Sequence, residues 1–202
     1  MNLFRRKPNP YFSDPDVQLM LAFQNVSRSA FETLMQSYYS RILNFIYRFV
    51  ADKQIAEDLT QEVFLRVYKY GPRYKPKSKF QTWLYTIAKN ICLNELRKNN
   101  DFVASLDAPV TIGKEDLQIQ IDDPKSCGAD EELIRKEKAM VIRQAINNLP
   151  ENQRMAVILK RYDNFSYAEI AETLGVSDKA VKSLLSRAKV NLRCRLAGLV
   201  NS

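Results

Sequence analysis

Apolar residues recur at spacings of three and four through most of this chain, the period of amphipathic helices. The longest stripe is Phe31, Leu34, Tyr38, Ile42, Phe45, Ile46 and Phe49, in a helix opened by Ser27 or Ser29. A shorter helix begins at Asp14 and Pro15 and reaches Phe23. Asp52 can cap a third, which turns Ile55, Ala56, Leu59, Val63 and Val67 inward and gathers Asp58, Gln61, Glu62 and Arg66 on another face. Phe80, Trp83, Leu84, Ile87, Ala88 and Ile91 mark a fourth. The predicted fold class is all-α.

The pattern breaks once. Residues 99–129 carry no helical apolar period and include Pro109, Gly113, Pro124 and Gly128, which reads as a flexible linker. Charge changes sign across it. Residues 1–100 hold 16 basic and 8 acidic side chains, residues 101–138 hold 5 and 10, and residues 139–202 hold 10 and 5. Two small basic helical domains, 14–98 and 130–202, are thus joined by an acidic linker and preceded by a tail, 1–13. Such a linker is either simply solvated or seated in a basic channel built for nucleic acid. The total, 31 Lys plus Arg against 23 Asp plus Glu with no His, gives a net charge of +8 and suits a partner carrying phosphates.

Residues 167–187, YAEIAETLGVSDKAVKSLLSR, are spaced as two short helices meeting at a tight turn. Ser166 caps the first, with Ile170, Ala171 and Leu174 inside, and Gly175 closes it in the left-handed conformation. Ser177 caps the second, whose Val181 and Leu184 or Leu185 turn back onto the first. Asp178, Lys179, Lys182, Ser183, Ser186 and Arg187 then lie outward, as in an element that enters a major groove by its N-terminal half. An ordinary helical hairpin is the competing reading.

Residues 71–79, GPRYKPKSK, combine two prolines, four basic residues and Tyr74, and lead into a helix with Thr82, Thr86, Lys89, Asn90, Arg97 and Lys98 along its polar side. Basic groups here can follow a strand's phosphates. Tyr74, Phe80 or Trp83 either stack on unpaired bases or belong to the core. The face with Asp58, Gln61 and Glu62 is either a solvated surface or a partner contact. Cys92, Cys127 and Cys194 are widely separated, so neither a disulfide framework nor a metal site is indicated, no cofactor is implied, and a reducing compartment fits. The N-terminal residues lack a signal-like apolar segment, and no run of about 18 apolar residues predicts a spanning helix or direct membrane insertion.

Four fragments carry a family resemblance: DLTQEVFLRVY at 58–68, FQTWLYTIAKNICLNELRK at 80–98, LPENQRMAVILKRYDNFSYAEIAETLGVS from 149 and AVKSLLSRAK from 180. In this order they resemble the extracytoplasmic-function group of bacterial sigma-70 factors over nearly the whole chain. The resemblance implies a non-enzymatic initiation factor that binds core RNA polymerase and promoter DNA, both as duplex and as melted single strand, with no small-molecule substrate. Its first domain would be sigma region 2, with Asp58, Gln61 and Glu62 binding polymerase. Arg73, Tyr74, Lys77, Lys79, Phe80, Trp83, Lys89 and Asn90 would bind the minus-ten element. Its second would be region 4, with Lys179, Lys182, Ser183, Ser186, Arg187 and Lys189 on the minus-thirty-five duplex and Arg154 and Lys160 among its backbone contacts. One departure stands out: the family commonly has Arg where this chain has Leu184. The linker would thread a basic channel of the polymerase. Also implied are a cytoplasmic location, a stress or envelope-signal regulon and an anti-sigma partner, often membrane-anchored. A plain transcription regulator would leave DLTQEVFLRVY and the basic loop unused, and a DNA-processing enzyme would lack catalytic groups.

Overall fold

In the computed structural model the chain is described over residues 9–105 and 129–200, and the acidic segment 106–128 lies outside the described residues. Among them, eight α-helices and no strands are found: α1 (Pro15–Gln24), α2 (Arg28–Val50), α3 (Lys53–Tyr70), α4 (Phe80–Ser105), α5 (Ala129–Asn147), α6 (Glu151–Arg161), α7 (Tyr167–Leu174) and α8 (Asp178–Val200).

Local chemistry accounts for most of the boundaries. Asp14 caps α1 by accepting from the Asp16 amide at 3.0 Å, and Pro15 occupies the first helical position, where its missing N–H costs nothing. Asp52 accepts from the Ile55 amide at 2.8 Å and starts α3. Ser166 and Glu169 form a reciprocal capping box on α7, and Gly175 ends that helix at φ 71°. Ser177 accepts from the Ala180 amide at 3.2 Å and opens α8. Helix α4 continues to Ser105, past the point at which its apolar period fades. Extending an existing helix gains a hydrogen bond for each residue fixed, so weak formers are carried along.

Leu34, Tyr38, Ile42, Phe45, Ile46 and Phe49 of the α2 stripe are all buried. Each such side chain contributes about 1.5–3 kcal/mol on leaving water. Around α2 pack α1, α3 and α4, while α6, α7 and α8 form a second group with α5. The two groups are not separate. Phe45, Phe49 and Tyr85 of the first share one continuous apolar core with Leu159, Phe165 and Ile170 of the second, and α4 packs on α7 and α2 on α6.

The turn between α1 and α2 holds one strained residue. Val26 has φ 73° and is 90% exposed, so a β-branched side chain occupies the left-handed region without packing in return. Val26→Gly is expected to stabilise the protein by about 1 kcal/mol, read as a higher urea midpoint at unchanged slope.

Candidate nucleic-acid interface

Helix α8 is positioned as a reading element. Val181 and Ala188 are fully buried on its inner side, against α6 and α7, and Leu184 and Leu185 are half-buried. Lys179, Lys182, Ser183, Ser186, Arg187 and Lys189 are all exposed. Arg187 Nε donates to the Ser183 carbonyl at 3.4 Å, which directs the guanidinium along the outer face. Leu184 sits against the core, partly buried.

The basic loop is pinned from inside. Gln24 Nε2 donates to the Gly71 and Tyr74 carbonyls at 2.9 and 2.8 Å, and Asn9 Nδ2 donates to the Pro76 carbonyl at 2.6 Å. A side chain at Gly71 would place its Cβ 2.4 Å from the Phe23 ring, so the turn passes the α1 aromatic only because that residue is bare. These anchors leave Arg73, Lys75, Lys77 and Lys79 exposed as a cationic rim.

Two residues of the expected minus-ten set are placed otherwise. Tyr74 and Phe80 are 5% and 1% exposed, within an aromatic cluster that holds the loop to α4. Neither presents a face to a base in this conformation. Burial pushes the Tyr74 phenol up to about 12, and its hydroxyl has no partner. Trp83, half-buried and edge-on to Tyr74 at 4.8 Å between centroids, is the ring of this group nearest the surface. Asn90 is exposed, whereas Lys89 is half-buried and burial lowers its ammonium pKa. Arg154, expected on the DNA backbone, instead lies over the Phe49 ring at 4.3 Å, bridging the two helical groups. Lys160 Nζ donates to the Phe165 carbonyl at 3.1 Å.

On α3, Asp58 and Gln61 are exposed and Glu62 pairs with Arg66. Sequence reasoning missed their neighbours Leu65 and Tyr68, 68% and 53% exposed. Leu65 follows Gln61 by four residues, the spacing that would have put it on the acidic face. An apolar patch beside acidic groups is a surface suited to docking.

Also missed was the seam between the two groups. Tyr85 Oη donates to Asp163 Oδ1 at 2.6 Å, Arg48 lies over the Tyr162 ring at 4.4 Å, and Arg143 donates to the Tyr47 hydroxyl at 3.0 Å. Lys79 Nζ donates to Glu169 Oε1 at 2.8 Å. Burial raises the Asp163 carboxyl to about 6, against the Tyr85 hydrogen bond and the Arg48 and Arg41 charges, and its Oδ2 is buried without a partner. Glu169 is only partly desolvated, and hydrogen bonds from Lys79 and Ser166 overcome that effect and hold it at about 2.

The two carboxyls act in opposite directions with pH. Asp163, raised in the folded state, stabilises the packed arrangement more as pH falls through about 6. Glu169, depressed from 4.5, contributes above that value and loses its effect as pH falls from there towards about 2. Asp163→Asn keeps an acceptor for Tyr85 and removes the buried charge. It is expected to raise the urea midpoint at pH 7, with the gain shrinking as the wild type is titrated below pH 6.

An outward polar helix backed by a helix-turn-helix core, beside a cationic loop, defines a DNA-reading protein. Two family models match the chain: sigma-70 region 2 over residues 34–102 and sigma-70, region 4 over residues 139–192. The RNA polymerase sigma-H factor of Pseudomonas aeruginosa is 33% identical over 181 residues, 87% of this chain and 91% of the relative. The ECF RNA polymerase sigma factor SigW of Bacillus subtilis is 33% identical over 177 residues, 85% of this chain and 91% of the relative. In solved structures, the sigma factor RpoE from Bartonella quintana, in complex with the anti-sigma factor NepR, gives a TM-score of 0.64 at 24% identity, covering 83% of this chain and 96% of that one. CnrH, in complex with the cytosolic domain of CnrY, gives 0.66 at 20% identity, covering 92% and 99%. Both share the fold. The chain belongs to the extracytoplasmic-function group of the sigma-70 family. It is a non-enzymatic factor for promoter recognition in transcription initiation.

Proposed function

We propose that the chain divides this task between residues 14–98 and residues 130–202, joined by 99–129. The α3 face with Asp58, Gln61 and Glu62, extended by Leu65, docks on core polymerase, its carboxylates meeting basic groups and Leu65 supplying apolar contact. The loop cations Arg73, Lys77 and Lys79 follow the phosphates of the melted minus-ten strand, with Trp83, Lys89 and Asn90 at its bases. Tyr74 and Phe80 hold that loop in shape. Lys182, Ser183, Ser186 and Arg187 meet base edges or adjacent phosphates of the minus-thirty-five duplex, and Lys179 and Lys189 its backbone.

The observation that carries this reading is α8, whose inner residues are buried while its whole polar row remains free. Contacts to two DNA elements would offset strand opening, which costs a few kcal/mol per unstacked step. The factor acts in the cytoplasm on a stress or envelope-signal regulon. An anti-sigma protein restrains it, as the complexes of RpoE with NepR and of CnrH with CnrY suggest by analogy; no described helix is long and apolar enough to cross a membrane. In vitro transcription on genomic fragments, with core polymerase and with or without the protein, should give new mapped start sites. Their absence would refute the reading.

A further inference from the structure

We propose that the turn between α1 and α2 is a rigid apolar knob, centred on Val26, that extends the docking surface of α3 and seats against an apolar surface of core RNA polymerase. The proposal rests on the α3 docking reading above. Helix α1 closes in a Schellman turn: the Val26 amide donates to the Phe23 carbonyl at 3.0 Å and the Ser27 amide to the Ala22 carbonyl at 3.1 Å. Helix α7 closes in the same way, with the Gly175 amide on the Glu172 carbonyl at 3.3 Å and the Val176 amide on the Ala171 carbonyl at 2.9 Å. The two turns differ at one residue. Gly175 takes the left-handed position of α7 at φ 71° without strain, whereas the same position of α1, at φ 73°, carries a β-branched side chain.

Val26 cannot relax out of that conformation. Gln24, two residues before it, is tied to the Gly71 and Tyr74 carbonyls, and the Phe23 ring is packed against Phe31 and Tyr68. Strain held in place by its surroundings, on a side chain that gains no packing in the free chain, points to a contact outside it. The surface around the turn indicates which. Phe23 and Phe31 both meet the Tyr68 ring at 5.3 Å between centroids, and Tyr68 follows the exposed Leu65 by one helical turn. An apolar run thus leads from the acidic end of α3, at Asp58 and Gln61, through Leu65 and Tyr68 to the Val26 turn. Carboxylates at its head repel a nucleic-acid backbone, so its occupant is a protein. A stable interface takes about 20–30 residues a side, so Asp58, Gln61, Glu62 and Leu65 are only part of one. The run beside them is its continuation.

Affinity of the N-terminally labelled full-length protein for purified core polymerase, measured by fluorescence anisotropy over a salt series, tests this. Val26→Gly should bind about five- to tenfold more weakly, the loss expected when a valine no longer leaves water at the interface. Its urea midpoint should rise at the same time, so that a damaged fold cannot account for the weaker binding. Val26→Thr keeps the β-branch and the backbone restriction and exchanges a methyl for a hydroxyl. It should also weaken binding, by the same factor at every salt concentration, because an apolar contact is not screened. Asp58→Ala combined with Leu65→Ala serves as the control for the α3 face. Wild-type affinity in both Val26 variants overturns the proposal; if the control pair is then weakened, the knob alone is lost and the α3 reading stands. Weakening by Val26→Gly without weakening by Val26→Thr also overturns it, since the effect would then lie in backbone freedom and not in apolar contact.

Discussion

Tyr85→Ala is expected to lower the unfolding free energy of the free protein by about 3–5 kcal/mol, the range for truncating a fully buried aromatic. Tyr85 is 0% exposed, with the Phe45 ring at 5.0 Å on one side and the Phe165 ring at 4.8 Å on the other. Its loss leaves a cavity bounded by α2 and by the turn before α7, and strands the Asp163 carboxylate, whose Oδ2 already lacks a partner. Urea denaturation at pH 7 measures the loss. A decrease under about 1 kcal/mol would mean that the wall collapses to fill the space, or that the seam contributes little to the stability of the free chain.

Lys182→Ala with Arg187→Ala is expected to reduce transcript yield from the factor's own promoters by roughly a hundredfold or more. A well-placed contact to a base edge is worth about ten- to a hundredfold in discrimination. Both side chains are exposed on the outer row of α8, away from Val181 and Ala188, so the fold should survive and polymerase binding should be unaffected. In vitro transcription across a salt series separates two kinds of contact. Loss of a phosphate contact flattens the salt dependence and weakens all promoters alike, whereas loss of a base contact changes the order of promoter strength. Full activity of the double variant would place recognition elsewhere on the protein.

How much of this was legible depended on sequence distance. The caps at Asp14, Asp52, Ser166 and Ser177 and the left-handed Gly175 act over four residues or fewer, and each was readable from residue type and spacing. The α2 stripe and the outward row of α8 followed from helical period alone. The reciprocal role of Glu169 was overlooked, although Ser166 three residues before it is the usual signal. Tyr74 and Phe80 could not be separated from Trp83 by sequence, because an aromatic anchoring a loop and one offered to a base occur beside the same cations. Tyr85 and Asp163 stand 78 residues apart across the linker, and nothing local marks them as partners. The family resemblance implied Arg154 as a DNA-backbone contact, yet an arginine whose guanidinium lies 4.3 Å from the centre of the Phe49 ring serves packing as well.

The shared core has a thermodynamic consequence. Each half is small, and domains of that size bury too little of their own surface for an ample stability margin. Phe45, Phe49 and Tyr85 belong to the same apolar body as Leu159, Phe165 and Ile170, so each half covers apolar surface that the other would expose standing alone. Any partner that separates the halves has to cover both of those faces from outside. On such a partner the support the halves give each other through Tyr85 and Phe165 would be exchanged for support from it.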